Sequence, residues 1–193
     1  MARPSVSDPA TLEYPDPELN DGVVRLRRWS MDDVGCIEQA SKDPRIPQGT
    51  TVPAAYTLEA GRAFINRQWN RLVNGEGLSL AIANADSGEA VGLIVLMLRA
   101  TPRIVEIGYW VVPAERGRGY VTRAIRLLSR WALTEAHIAR VEARVMPDNG
   151  PSLRALHSCG FETEGILRSH YYVGGRHHDM VSLSLIPADL EGS

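Results

Sequence analysis

EIGYWVVPAERGRGYVTRAIRLLSRW, residues 106–131, is the stretch of sequence that decides the fold. Residues 106–112 form an apolar run rich in β-branched and aromatic side chains, which predicts a strand, and residues 113–119 combine a proline with two glycines, which predicts a turn. Apolar residues then recur at helical spacing as far as Trp131, which predicts a helix with one buried face. This order is typical of a phosphate site, because the first N–H groups of a helix lack internal partners.

The residue order within the turn distinguishes between three kinds of phosphate ligand. A P-loop requires Gly-Lys-Ser or Gly-Lys-Thr, which this turn lacks, and a dinucleotide motif requires a third glycine where Thr122 stands. The order that fits is Arg-x-x-Gly-x-small, from Arg116 to Val121. It resembles the acyl-CoA pyrophosphate loop of the GNAT N-acetyltransferase superfamily, although Val121 stands where that family usually has glycine or alanine. A plain surface turn and a binder of another nucleotide phosphate are the alternatives.

A second motif follows further along the chain, where Asn149 and Ser152 precede Gly160 and Phe161. It resembles the Asn-x-x-Ser…Gly-Phe segment of the same superfamily. The resemblance implies that the Asn149 side chain hydrogen-bonds the pantetheine arm and that Ser152 acts as general acid at the departing thiol. The alternative is purely structural, with Asn149 as a helix N-cap and Ser152 as a first-turn hydroxyl.

Glu106 is the candidate general base. The same superfamily often places a carboxylate on this strand, ten residues before the arginine of the loop, and Glu106 stands at that spacing from Arg116. An amine must be neutral to attack a thioester, and most amines are protonated near neutral pH, so a nearby carboxylate could remove the proton directly or through water. The alternative is that Glu106 only forms an ion pair with an arginine at a strand edge.

The resemblance covers most of the chain and is strongest to the RimJ/RimL-type branch, on residues 21–29 (DGVVRLRRW), residues 107–111 (IGYWV) and both motifs. It implies direct transfer of an acetyl group from acetyl-CoA to an amine, most simply a protein N-terminal amine, in a ternary complex without a metal. A small-molecule amine acceptor and an acyl-CoA-binding module without catalysis are the alternatives. The cofactor-binding residues that it implies are Val111, Arg116, Gly117, Arg118, Gly119, Tyr120, Val121, Thr122, Asn149 and Ser152.

Composition and element order predict the fold class. The 193 residues suit an extended N-terminal arm, 1–21, followed by a single acyl-CoA N-acyltransferase domain, 22–193. We expect an α/β fold with a mixed sheet of about seven mostly antiparallel strands, one parallel central pair and about four helices. The last two strands, predicted over 162–168 and 179–186, form a hairpin with a fairly long loop around Gly174 and Gly175.

Charge and cysteine usage narrow the class of partner. A net charge of -2 gives no case for nucleic-acid binding, and Cys36 and Cys159 are too isolated to suggest a disulfide or a zinc site. The first residues lack an apolar core, so we expect neither a signal peptide nor membrane attachment, and we expect a cytoplasmic protein. A homodimer is left open. The choice of acceptor amine is expected to depend on the loops at 43–56 and 170–176.

Overall fold

A computed structural model describes residues 12–190, which form one eight-stranded sheet and five α-helices. The strands are β1 Leu19–Asn20, β2 Val24–Arg27, β3 Gly77–Asn84, β4 Ala90–Leu98, β5 Ile104–Val111, β6 Arg140–Val145, β7 Glu162–Val173 and β8 Arg176–Leu185. The helices are α1 Val34–Ser41, α2 Ile46–Gly49, α3 Leu58–Val73, α4 Tyr120–Thr134 and α5 Gly150–His157. Within this range no helix is both long and apolar enough to cross a membrane.

The sheet has the order β1-β2-β3-β4-β5-β6-β8-β7, and all its pairs are antiparallel except β5 with β6. Short turns join β3 to β4 and β4 to β5, which makes those pairs antiparallel. The long crossover through α4 lets β6 run parallel to β5. The predicted mixed sheet with one parallel central pair is therefore confirmed.

The parallel pair separates soon after it begins. β5 and β6 are in register at Ile104 with Arg140, at Val105 with Val141 and at Glu106 with Glu142. Beyond Glu106, β5 continues beside β4 and β6 continues beside β8, and the described residues of β5 and β6 form no further pairs with each other. This separation opens a gap in the sheet, which we call the β5–β6 gap, next to the loop that leads into α4.

Hydrophobic clusters cover the two faces of the sheet. On the back face, α4 packs Ala124, Ile125 and Leu128 against alternate residues of β5 and β6, such as Ile107 and Val141. Each fully buried isoleucine or leucine side chain here stabilises the fold by about 1.5–3 kcal/mol. The predicted apolar spacing of α4 is thus realised as the buried face of that helix.

The front face carries the second cluster, in which α1 and α3 lie over β3 and β4. Phe64 of α3 packs edge-on against Trp29, with a centroid separation of 5.9 Å, and both lie near Trp110 of β5. Farther along the same face, β5 and β6 present the charged residues Glu106 and Glu142, which are only partly buried. The front face is therefore apolar under the helices and charged near the β5–β6 gap.

Two short elements account for the difference in element number from the prediction. β1 contains only two residues, too few to produce an alternating pattern, and it lies within the predicted arm. Residues 1–11 of that arm lie outside the described part of the chain. α2 lies within 43–56, which was predicted as a loop, and its single turn is too short to show helical periodicity.

The hairpin of β7 and β8 has a shorter loop than predicted. Its strands extend to Val173 and back from Arg176, so the turn consists of Gly174 and Gly175, with φ angles of 60° and 80°. The prediction of a long loop was wrong because the register shifts between Leu167 and Tyr171 and interrupts the alternation on which a sequence-based prediction depends.

Candidate functional site

The loop before α4 forms an open cradle of backbone N–H groups. Gly117 and Gly119 have φ angles of 78° and 80°, which glycine adopts without steric cost. A Cβ placed on either glycine would meet no atom within 4 Å. Gly119 is the N-cap of α4 and supplies no side-chain hydrogen bond to the first turn, so N–H groups at the positive end of the helix dipole face an open space. These features fit the pyrophosphate of an acyl-CoA.

Arg116 is tied into the protein rather than extended into the cradle. Its Nη2 lies 2.7 Å from Asp43 Oδ2, and its Nε donates to the carbonyl oxygen of Val111 at 3.2 Å. Burial raises the pKa of Asp43, but hydrogen bonds from the Arg45 N–H and the Arg116 guanidinium outweigh it and hold that pKa below its usual value. Arg116 therefore joins the loop to the segment between α1 and α2.

The other predicted residues of the loop differ in how far their side chains are exposed to solvent. Arg118 is largely exposed and lies 3.2 Å from Glu115. Tyr120 is buried in the back cluster, where its hydroxyl oxygen accepts a hydrogen bond from Asn84 Nδ2 at 2.8 Å. Val121 and Thr122 are partly buried. In this structure Tyr120, like the buried Val111, can offer a cofactor only its backbone.

α5 begins beside the β5–β6 gap with the second motif. Asn149 is its N-cap, and its Oδ1 accepts a hydrogen bond from the Ser152 N–H at 3.3 Å. Asn149 therefore caps α5, and the cap leaves Nδ2 free for the contact with pantetheine, which stays a prediction. Ser152 is partly buried, and its hydroxyl lies close enough to the Tyr109 hydroxyl to affect the pKa of that group.

Tyr109 was not among the predicted site residues. It lies on the back face of β5, and its Oη is buried without a hydrogen-bond partner among the described residues. Burial raises its pKa to about 12, and the Ser152 hydroxyl acts in the opposite direction. Strand alternation places Tyr109 on the same face as Ile107, but it cannot show that the hydroxyl lacks a partner.

Glu106 belongs to a group of alternating charges on the front face, which we call the front cluster. Its Oε2 lies 3.1 Å from Arg99 Nη1 and 3.2 Å from Arg144 Nη1, and its side chain is 15% exposed. Glu106 is thus ion-paired, with two arginines rather than one, and its role as general base stays a prediction. The cluster consists of Arg99, Glu106, Arg140, Glu142, Arg144 and Glu164.

The remaining ion pairs of the front cluster continue across the sheet. Arg144 Nη2 lies 3.5 Å from Glu142 Oε2, and Arg140 Nε lies 3.0 Å from Glu142 Oε1. Hydrogen bonds with Glu164 and Glu142 hold the pKa of Arg140 above its usual value, and hydrogen bonding to Arg140 holds the pKa of Glu164 below its own. Each carboxylate of the cluster thus has a guanidinium beside it.

The two predicted catalytic residues lie on opposite sides of the β5–β6 gap. Glu106 is on the front face at the last paired position of β5, and Ser152 is near the back-face residue Tyr109. An acyl group lying in the gap could be approached by a base from the front and by a hydroxyl from the back. Within residues 12–190, no three His, Cys, Asp or Glu side chains are grouped to hold a metal ion.

Comparison with known proteins identifies the class to which this fold and site belong. A family model described as "Acetyltransferase (GNAT) domain" matches residues 24–162. The chain therefore belongs to the GNAT family and is an acetyl-CoA-dependent N-acetyltransferase. "Probable N-acetyltransferase YjcK" of Bacillus subtilis is 33% identical over 138 residues, covering 70% of this chain and 76% of YjcK.

Two further comparisons link the chain to acetyltransferases with different names. The structure of Mycobacterium smegmatis RimJ in complex with CoA-disulfide superimposes with a TM-score of 0.77 and 25% identity, covering 90% of this chain and 86% of RimJ. The spermidine N(1)-acetyltransferase of Escherichia coli strain K12 is 23% identical over 165 residues, covering 84% of this chain and 85% of that protein. The RimJ/RimL-type resemblance is thus confirmed.

Proposed function

We propose that the protein transfers the acetyl group of acetyl-CoA directly to a primary amine, preferentially the N-terminal amine of a protein. The observation that carries this proposal is the β5–β6 gap, which opens just beyond Glu106, where the first turn of α5 brings Ser152 close to Tyr109 of β5. An acetyl-CoA with its pyrophosphate at the α4 cradle would direct its thioester into this gap.

The proposed chemistry needs one base and one acid. Glu106 accepts a proton from the ammonium group, directly or through water, and the neutral nitrogen attacks the thioester carbon. The C–N bond forms, the C–S bond breaks, and the sulfur takes the electron pair of that bond. Ser152 donates its proton to the sulfur, the attacking nitrogen loses its second proton to water, and water returns a proton to Ser152, while Glu106 releases the first proton to bulk water. The reaction proceeds without an acyl-enzyme.

The charge balance of the front cluster supports an acceptor with a single ammonium group. Its three carboxylates are interleaved with three arginines. Every carboxylate that could bind a polycation is therefore already paired with a guanidinium. A peptide N-terminus brings one positive charge together with carbonyl oxygens that Arg99 or Arg144 could bind. This pattern favours a peptide over a polyamine.

Two segments at the edge of the front face are our candidates for selecting the acceptor. A Cβ placed on Gly49 of α2 would lie 4.0 Å from Tyr171 Oη, so α2 and the tip of the β7–β8 hairpin lie side by side. These are the segments that the sequence analysis associated with acceptor choice. Their proximity supports a role as the border of the acceptor site.

A small-molecule amine is the second candidate for the acceptor. It is favoured by the similarity to the spermidine N(1)-acetyltransferase, which extends over most of both chains. A small polyamine would have to displace arginines from Glu106 and Glu142 to be bound by their carboxylates.

The acceptor can be tested by measuring release of free CoA from acetyl-CoA with three acceptors. These are a peptide with a free N-terminus, the same peptide with a blocked N-terminus and an internal lysine, and spermidine. We expect release with the free N-terminus alone. Preference for spermidine or the lysine would overturn the choice of acceptor but not the enzyme class. If CoA stabilises the protein against heat but no free CoA is released from acetyl-CoA with any amine tested, the result would favour a binding module.

A further inference from the structure

The hydroxyl of Tyr109 is a buried polar group that the fold brings near Ser152 without a well-formed hydrogen bond. Its Oη is buried and makes no hydrogen bond of ordinary geometry with a described residue, although the Ser152 hydroxyl lies close enough to lower its pKa. A buried hydroxyl without a partner destabilises a protein relative to phenylalanine at the same position. The buried Tyr120 does not carry this cost, because its hydroxyl oxygen accepts a hydrogen bond from Asn84. The unsatisfied hydroxyl of Tyr109 therefore suggests a partner that is completed only when substrate is bound.

The surroundings of Tyr109 identify that partner. Ser152 of α5 is the hydroxyl that acts on its pKa, and Cys159, just after α5, is the ionisable group that faces it. Cys159 is engaged elsewhere, because its Sγ donates to the Thr122 carbonyl oxygen at 3.2 Å. Burial also raises the pKa of Cys159, so this thiol stays neutral. Ser152 is thus the neighbour that can accept a hydrogen bond from Tyr109.

We infer that Tyr109 is a positioning residue for the transfer reaction, whose O–H donates to Ser152 Oγ once acetyl-CoA lies in the β5–β6 gap. This inference rests on the proposed function, in which Ser152 protonates the departing sulfur. A serine hydroxyl rotates freely, so its hydrogen points at the sulfur for only part of the time. A donor fixed behind Oγ would occupy one lone pair of that oxygen and direct the serine hydrogen forward.

The Tyr109 hydroxyl is suited to donate without losing its proton. Burial raises its pKa to about 12, so the phenol is neutral throughout the pH range in which an amine acceptor becomes reactive. The proton that reaches the sulfur comes from Ser152, and Tyr109 changes only the direction in which it is offered. Tyr109 thereby provides orientation, which raises kcat without contributing to the affinity for CoA.

A double-mutant cycle on the full chain tests this role. We expect Tyr109→Phe to lower kcat for acetyl transfer about fivefold, the effect of one lost hydrogen bond, with the KM for acetyl-CoA unchanged. In a Ser152→Ala background the same substitution should change kcat less than about twofold, because the group that it orients is absent. The melting temperature of Tyr109→Phe should be equal to or above that of the parent, since an unsatisfied hydroxyl is removed.

Ser129→Ala is the matched control. Ser129 lies in α4, and its buried Oγ also lacks a partner among the described residues. The substitution therefore removes a comparable hydroxyl away from the gap. Its kcat should equal that of the parent. Unchanged kcat in Tyr109→Phe, or equal losses in the two backgrounds, would overturn the inference. If Ser152→Ala has no effect on kcat, Ser152 is not the acid, and that part of the proposed function fails whatever the result for Tyr109→Phe.

Discussion

Glu106 holds two ion pairs and is also the proposed base, and both roles depend on the same carboxylate. The shortest contacts from Arg99 and Arg144 are both made to Oε2. We therefore expect an amine or a bridging water to approach Oε1. Arg144 already lies near Glu142 as well, so it could move toward that residue while the proton is transferred.

Glu106→Gln separates the two roles of this residue. It keeps the shape of the side chain but cannot accept a proton, so kcat should fall on the order of 10²–10⁴-fold. The affinity for CoA, measured by calorimetry, should hardly change, because Glu106 pairs with Arg99 and Arg144 and not with residues of the cradle. Glu164→Gln is the control, since Glu164 is an ion-paired carboxylate of the same cluster, and its kcat should stay close to that of the parent. A small effect of Glu106→Gln between pH 6 and 9 would mean that the proton leaves by another route.

Asn149 has one structural role in this structure and one proposed role with substrate. As the N-cap of α5 it accepts from the Ser152 N–H, and its Nδ2 is proposed to donate to the pantetheine arm. Asn149→Ala should therefore lower the melting temperature, because loss of a cap costs about 1 kcal/mol, and should also raise the KM for acetyl-CoA.

Asn149→Asp distinguishes the two roles, because aspartate caps a helix well but lacks the amide donor. We expect this variant to recover the melting temperature lost in Asn149→Ala while its KM for acetyl-CoA stays high. Recovery of both quantities in steady-state and thermal measurements would mean that Asn149 acts only as a cap.

At the scale of elements, the loop before α4 joins the β5–β6 gap to a helix N-terminus with no side-chain cap. Gly119 is the last residue before that helix, and its φ of 80° strains any side chain placed there. Asparagine and aspartate tolerate this conformation better than most residues and have nearly the same shape. They therefore allow the effect of charge to be separated from the effect of strain.

Gly119→Asp should weaken CoA binding about tenfold more than Gly119→Asn, because the added carboxylate repels the pyrophosphate. Both variants should have similarly lowered melting temperatures, since both carry the same strained backbone. Calorimetric titration with CoA gives the two affinities. Equal affinities would indicate that the phosphates of CoA lie away from this helix terminus.

The same elements show what the sequence could predict. α4 and β6 follow their patterns closely, because each packs one regular face on the back cluster. The loop and the start of α5 could be singled out as candidate sites because their motifs are short and contiguous. The hairpin bulges, the partners of Glu106 and the position of the Tyr109 hydroxyl depend on contacts between distant segments, which no local pattern contains.

At the scale of the whole molecule, one ion pair connects the two halves of the proposed site. Asp43 follows α1 on the front side, and Arg116 belongs to the loop that leads to the cradle. Asp43 also accepts hydrogen bonds from the N–H groups of Arg45 and Ile46, which begin α2. A single carboxylate thus holds the α1–α2 segment, next to the proposed acceptor border, against the proposed acyl-CoA loop.

The lowered pKa of Asp43 makes this connection sensitive to acid. A carboxyl whose pKa is lower in the folded than in the unfolded protein stabilises the fold above its unfolded pKa, and that stability is lost as pH falls through the folded pKa. Asp43→Asn should therefore have a lower melting temperature than the parent at pH 7, and the difference should shrink as the pH is lowered toward 3. Asp86→Asn, in the exposed turn between β3 and β4, is the control and should follow the parent throughout. A constant difference between Asp43→Asn and the parent from pH 7 to pH 3 would show that the charge of Asp43 does not hold the two segments together.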